Sequence, residues 1–243
     1  MDLRFAVRTL LKTPGFTVAV VLTIALGVGA TTAMWTVVDR IVLRPLPFAG
    51  SDRAVMLCET SAKTANFCVA SPPNVANWAQ AVPALEAVGV ARNEPMIVTI
   101  GGASAGVRGG IATAGFFDAI GLKAAMGRVL EPLDLDRARN QVVVISDTFW
   151  RERFGADPLI VGRSITLDGR DTRIVGVLPP NPYIPNYNAI DAWKPITASI
   201  DDPDNRAWRG FMTIGRMAPG ATLTTLTAQL EVVRARLERA HPD

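Results

Sequence analysis

Few side chains in this 243-residue chain could make or break bonds. The single histidine, His241, stands two residues from the end, so no Ser-His-Asp or Cys-His set with a buried base is credible. The stretch GGASAGVRGG (101–110) has enough glycine to cradle a phosphate. It lacks the Gly-Lys-Ser/Thr ending, however, and lies between strand-like runs, so it reads as a hairpin turn. DDPDN (201–205) and DLD (134–136) gather oxygen ligands suited to a hard cation, but neither has the glycine and distal glutamate of a calcium loop. Both read as solvated surface loops. Cys58 and Cys68 lie ten residues apart. In an oxidising compartment a disulfide between them would contribute roughly 2–3 kcal/mol by loop closure, while the competing reading is two unrelated small apolar residues. With no histidine beside them they make no metal site. Trp150, Trp193 and Trp208 read as core or rim packing rather than a ligand cage. No catalytic set, cofactor site or metal site emerges, and the chain is read as non-enzymatic.

What could position a function is the front of the chain. FTVAVVLTIALGVGATTAMWTVV (16–38) is 23 residues without a charge, between Lys12 and Asp39. As a helix it spans roughly 34 Å, enough for a hydrocarbon core of about 30 Å with some tilt. A core helix would carry a polar stripe, and a secretory signal a shorter apolar region. The run therefore reads as a retained membrane helix, with the boundary placed at 15–40. A cleaved signal is the alternative, since Val28-Gly29-Ala30 and Thr31-Thr32-Ala33 offer small residues to a peptidase. Ala25, Gly29 and Ala33 recur every fourth residue, the spacing that lets membrane helices approach closely.

Residues 1–14 sharpen that reading. Arg4, Arg8 and Lys12 share one helical face, while Leu3, Val7, Leu10 and Leu11 lie toward the other. Such an arm would rest in the interface, basic face toward anionic headgroups, until Pro14-Gly15 ends it. Net charge is +3, and these residues with Asp2 supply +2 of it. A basic pI of 9.2 therefore points to a membrane surface rather than to nucleic acid. The arm favours a cytoplasmic N-terminus, a signal that Arg40 and Arg44 weaken from the other side.

The remainder, 49% hydrophobic and 19% charged when the whole chain is counted, is globular in composition. Strands are predicted at 54–58, 85–92, 96–100, 107–113, 141–146 and 209–217, with a hairpin over 164–178 turning at Asp168-Gly169. Short helices are expected after Ser71-Pro72-Pro73, at 115–121 closed by glycine, and after Asp147 as a cap. An amphipathic helix over 222–240 presents Leu226, Leu230, Val233 and Leu237 on one face. The fold class is α+β.

Five blocks in this order resemble one family. RTLLKTPGFTVAVVLTIALGVGATTAMWTVVDRIVLRPLPF, SPPNVANW, GFFDAIGLKAAMGRVL, VVVISDTFWRERFGADPLIVGRSITLDG and RIVGVLPP are similar to the N-terminal half of MacB-type, FtsX-like ABC-transporter permeases, nearest their acidobacterial-type branch. The resemblance implies a first membrane helix and a periplasmic core domain with a βαβ porter-like part over 41–123 and 200–243. A smaller α/β subdomain would be inserted at 124–199. It further implies a bacterial inner-membrane location, a homodimer, a cytoplasmic ABC ATPase that hydrolyses ATP separately, and a periplasmic adaptor. Such permeases continue into a last periplasmic strand, three further membrane helices and a coupling element. This chain ends at RAHPD, which leaves two expectations open: a fragment or truncated product, or a partner chain supplying the rest. The alternative function is a membrane-anchored periplasmic module that contacts an adaptor without transport of its own.

Overall fold

A computed structural model describes residues 12, 14–39, 48, 50–59, 68–136, 138–187, 189–196, 206 and 208–241. The chain forms two compact units, Met1–Leu46 and Pro47–Asp243. In the first, helix α1 runs Pro14–Val38, and none of its residues is buried. Pro14 and Gly15 open this helix rather than preceding it, because proline at the first helical position forfeits only an N–H that would have no partner there. Three of the threonines that interrupt the apolar run are satisfied inside it. Thr23, Thr31 and Thr36 donate their hydroxyl protons to the carbonyls of Ala19, Gly27 and Thr32 at 2.9, 2.7 and 2.8 Å. A helix in hydrocarbon must satisfy its polar groups this way, since no water is available to do it.

The second unit is built on one mixed sheet. Its strands are β1 (Ala54–Met56), β2 (Leu85–Asn93), β3 (Met96–Ile100), β4 (Ala103–Val107), β5 (Gly109–Ala112), β6 (Met126–Gly127), β7 (Val142–Ile145), β8 (Ser164–Leu167), β9 (Arg170–Val177), β10 (Ala192–Pro195) and β11 (Met212–Met217). They lie in the order β1-β11-β2-β5-β10-β7-β9-β8-β3-β4, with β6 on β9. The β5–β10 and β7–β9 pairs are parallel and the others antiparallel. Helices α2 (Pro72–Ala81), α3 (Ala114–Ile120), α4 (Asp147–Phe154) and α5 (Leu223–Ala240) cover it. β1, α2 and β2 form a split βαβ unit with β11 laid between its strands.

Alternation along the central strands explains the layering. On β11, Met212 and Ile214 join the cluster around Phe116 and Phe117 of α3. Phe211 and Met217 face the cluster of Trp78, Leu226 and Val233 instead. With side chains pointing to opposite faces at each step, α3 must cover one face of β1-β11-β2 and the α2/α5 pair the other. Gly89 on β2 and Gly115 at the start of α3 make the first contact possible. A Cβ on either would collide with the other element's backbone. The strands β7, β8 and β9 share a third cluster with Phe149 of α4, Met96 and Val98.

Local signals explain most of the elements. Asp168 and Gly169 adopt φ of 51° and 75°, the left-handed pair of a two-residue hairpin turn between β8 and β9. Gly101 and Gly102, also left-handed, turn β3 into β4, so GGASAGVRGG is a hairpin as expected. Gly121 closes α3 at φ 64°. Two caps differ from expectation. Ser146 caps α4, accepting from the Phe149 amide at 3.1 Å, and Asp147 instead sits in the first turn, bound to Arg151. Ser71 precedes α2 as expected, but its hydroxyl donates to Glu59 rather than accepting from the helix.

Candidate functional site

The features expected to carry function divide between the two units. In the first, Arg4 and Arg8 lie outside the described residues, as do residues 44–47 (RPLP) beyond the helix. Lys12 is helical and exposed. Ala25, Gly29 and Ala33 line up along α1, all exposed, and a Cβ added at Gly29 would meet nothing within 4 Å. The helix is long and apolar enough to cross a membrane.

In the second unit, β1 runs on into Leu57, Cys58 and Glu59, which help to line a groove of the domain. The structure joins Cys58 to Cys68 with Cα atoms 4.6 Å apart, a spacing that suits a disulfide. The bridge returns the chain to β11, where the Ala70 amide donates to the Phe211 carbonyl at 2.9 Å. It also fixes Glu59, whose carboxylate serves as an external cap for α2. One oxygen accepts from the Ser71 amide (2.8 Å), the Ser71 hydroxyl (3.0 Å) and the Asn74 amide group (2.9 Å). The other accepts from Arg209 Nε at 2.8 Å. Asn74 in turn accepts from Arg206. This cluster joins residues 150 positions apart, and the sequence carried no signal for it. Replacing both cysteines by alanine is expected to destabilise the domain by roughly 3 kcal/mol. Comparing chemical denaturation of the variant with that of the oxidised wild type checks this. The loss should include early exchange of the α2 amides as Glu59 loosens.

The other candidate residues are structural. Trp193 is fully buried, and Trp150 donates its indole N–H to the Asp157 carbonyl at 2.9 Å. Trp208 lies under the Arg92 guanidinium, 4.4 Å from ring centre to Cζ. Asp134 of the DLD stretch is buried in a two-pronged pair with Arg128, at 2.5 and 2.8 Å. That pair raises the Arg128 pKa, and a carboxylate so engaged is not presented to a cation. Among the described residues no three metal-ligating groups come together. DDPDN at 201–205 lies outside those residues. His241 stands at the rim of the groove and is exposed.

With the fold and groove established, comparison with known proteins is decisive. The MacB-like periplasmic core domain matches residues 17–233. The chain belongs to that family. Solved structures share its fold. The periplasmic region of MacB from Actinobacillus actinomycetemcomitans superposes with a TM-score of 0.56 at 17% identity, covering 79% of this chain and 85% of that one. A domain described as belonging to a permease from Porphyromonas gingivalis gives 0.58 at 19%, covering 81% and 87%. The extracellular domain of the noncanonic ABC-type transporter YknZ from Gram-positive bacteria gives 0.50 at 13%, covering 77% and 92%. No curated protein matches the chain. The MacB-like domain is thus the periplasmic domain of an ABC-transporter permease family, of α+β fold, with one candidate membrane helix at its front. Its relatives are transporter permease domains, a class that is generally non-catalytic.

Proposed function

We propose that this chain is the front half of an ABC-transporter permease subunit of the acidobacterial-type branch, in the bacterial inner membrane. It crosses once, N-terminus in the cytoplasm. ATP hydrolysis by a separate cytoplasmic ATPase moves α1, and the Arg44-Pro45-Leu46-Pro47 connector passes that motion to the periplasmic domain. Proline fixes φ and stiffens such a connector. Two copies work together and engage a periplasmic adaptor for export. Within the domain, we assign 41–123 and 200–243 to the porter-like part and 124–199 to the inserted subdomain; strands of the two ranges pair at β5–β10 and again at β3–β8.

One observation carries the reading. The family match begins at residue 17, inside the apolar helix, and runs to 233, so one match takes in both the candidate membrane helix and the domain behind it, which supports reading them together. The arm supplies the test. Arg4, Arg8 and Lys12 together contribute about 3 kcal/mol of attraction to an anionic leaflet. Changing all three to glutamine in a full-length homologue is expected to reduce transport. Unchanged transport with unchanged membrane placement would remove the arm from the mechanism.

A further inference from the structure

The groove behind the disulfide has the attributes of a small-molecule site. Its volume is ≈ 350 Å³, within the range of about 300–1,000 Å³ typical of ligand pockets. Leu57 and Trp78 on one side and Leu230 and Leu237 of α5 on the other give it an apolar body. Arg206 is among the residues that line it. Among the described residues its guanidinium meets a neutral amide, Asn74, and no carboxylate. Its Nε is buried with no hydrogen-bond partner. A guanidinium that lines an apolar groove and meets no carboxylate among the described residues is poorly compensated, and an arriving carboxylate supplies it a charge-assisted bond.

Neighbouring charges select the sign of the ligand. Glu59, the nearest carboxylate in the network, has its oxygens occupied by Ser71, Asn74 and Arg209. Glu231 and Glu238 bracket the exposed Arg234 and Glu59 holds Arg209, leaving Arg206 as the lining arginine without a carboxylate partner among the described residues. The rim glutamates would repel an anion that lay the wrong way round. Charge complementarity therefore orients an occupant with its anionic end at Arg206, away from the glutamates, and its apolar body against Trp78.

We propose that this groove binds a small molecule consisting of a carboxylate on an apolar body, with Arg206 receiving the carboxylate. The site does not depend on the export reading. A photoreactive carboxylate, 3-(4-benzoylphenyl)propanoate, irradiated with the intact chain in nanodiscs and mapped by mass spectrometry, tests it. Labelling should fall on peptides holding Trp78 and Leu230. It should be displaced by 4-phenylbutanoate at least about tenfold more effectively than by 4-phenylbutan-1-ol, the margin expected of one charge-assisted bond. Arg206→Gln should reduce labelling about tenfold while melting temperature and disulfide are retained. Arg234→Gln, which removes the same charge from the rim, should leave it unchanged. The proposal is overturned by no labelling of the groove, by equal competition from acid and alcohol, or by equal losses in the two arginine variants.

Discussion

Replacing Trp193 with alanine is expected to destabilise the periplasmic domain by about 3–5 kcal/mol, whereas phenylalanine at the same place costs far less. Trp193 is fully buried on β10, the strand that joins the two halves of the sheet. It pairs with Gly110 of β5 on one side and Val144 of β7 on the other. A Cβ at Gly110 would strike the indole ring at 2.6 Å, so the ring lies directly over that glycine. Phe116, Phe117 and Tyr187 surround it, with ring centres at 5.8, 5.7 and 5.4 Å. Alanine removes the ring from all three and leaves a cavity that α3 cannot collapse into, because its approach is already set at Gly89 and Gly115. Phenylalanine keeps the ring contacts and deletes an indole N–H that is buried without a hydrogen-bond partner. Removing an unpaired buried donor offsets part of the lost volume. In thermal unfolding followed by near-ultraviolet dichroism, the alanine variant should melt roughly 10–15 °C lower. An alanine variant within a few degrees of wild type would show that the aromatic cluster does not organise the sheet.

The same cluster marks the limit of what the sequence discloses. Local rules were enough for α1, for the Asp168-Gly169 hairpin and for the glycine closing α3, because each depends on neighbours within a few residues. They were enough for α5 too, where Leu226 and Val233 are buried and Leu230 and Leu237 pack beside them. β4 was not legible. ASAGV has neither alternation nor β-branched bulk, and it is a strand because β3 offers it a ladder from Met96 to Ile100. The α4 cap was misplaced by one position, since both Ser146 and Asp147 are good capping residues and only geometry chooses. The Tyr187 hydroxyl donates to the Ala91 carbonyl at 2.5 Å across 96 positions, and burial raises its pKa and keeps it protonated. Glu59, Asn74, Arg206 and Arg209 likewise meet only through tertiary structure, so the groove they form could not be found from spacing. The family resemblance is legible because its blocks are local in the chain, whereas the groove exists only through contacts between distant segments.

A charge at the middle of α1 should have the other large effect. Leu26 stands at the midpoint of Pro14–Val38 and is 73% exposed. The helix is about 37 Å long at 1.5 Å per residue, so its midpoint falls near the centre of a bilayer it spans. Arginine there costs about 2.5–3.5 kcal/mol for insertion, a shift of roughly a hundredfold between inserted and non-inserted chains. Leu26→Arg is therefore expected to move most of the protein from the pellet to the supernatant after alkaline carbonate, with Leu26→Ala remaining in the pellet. The back-bonded threonines make the contrast sharp, because the native helix presents no unsatisfied hydroxyl at positions 23, 31 or 36. A cleaved signal would also be disabled by arginine, so the pelleted wild-type protein must in addition yield the peptide that follows Lys12. Recovery of that peptide from the membrane fraction, together with the arginine-driven release, establishes a retained span. Its absence from an otherwise intact product would mean that the helix is removed. The domain would then have no candidate membrane helix among the described residues through which to receive motion.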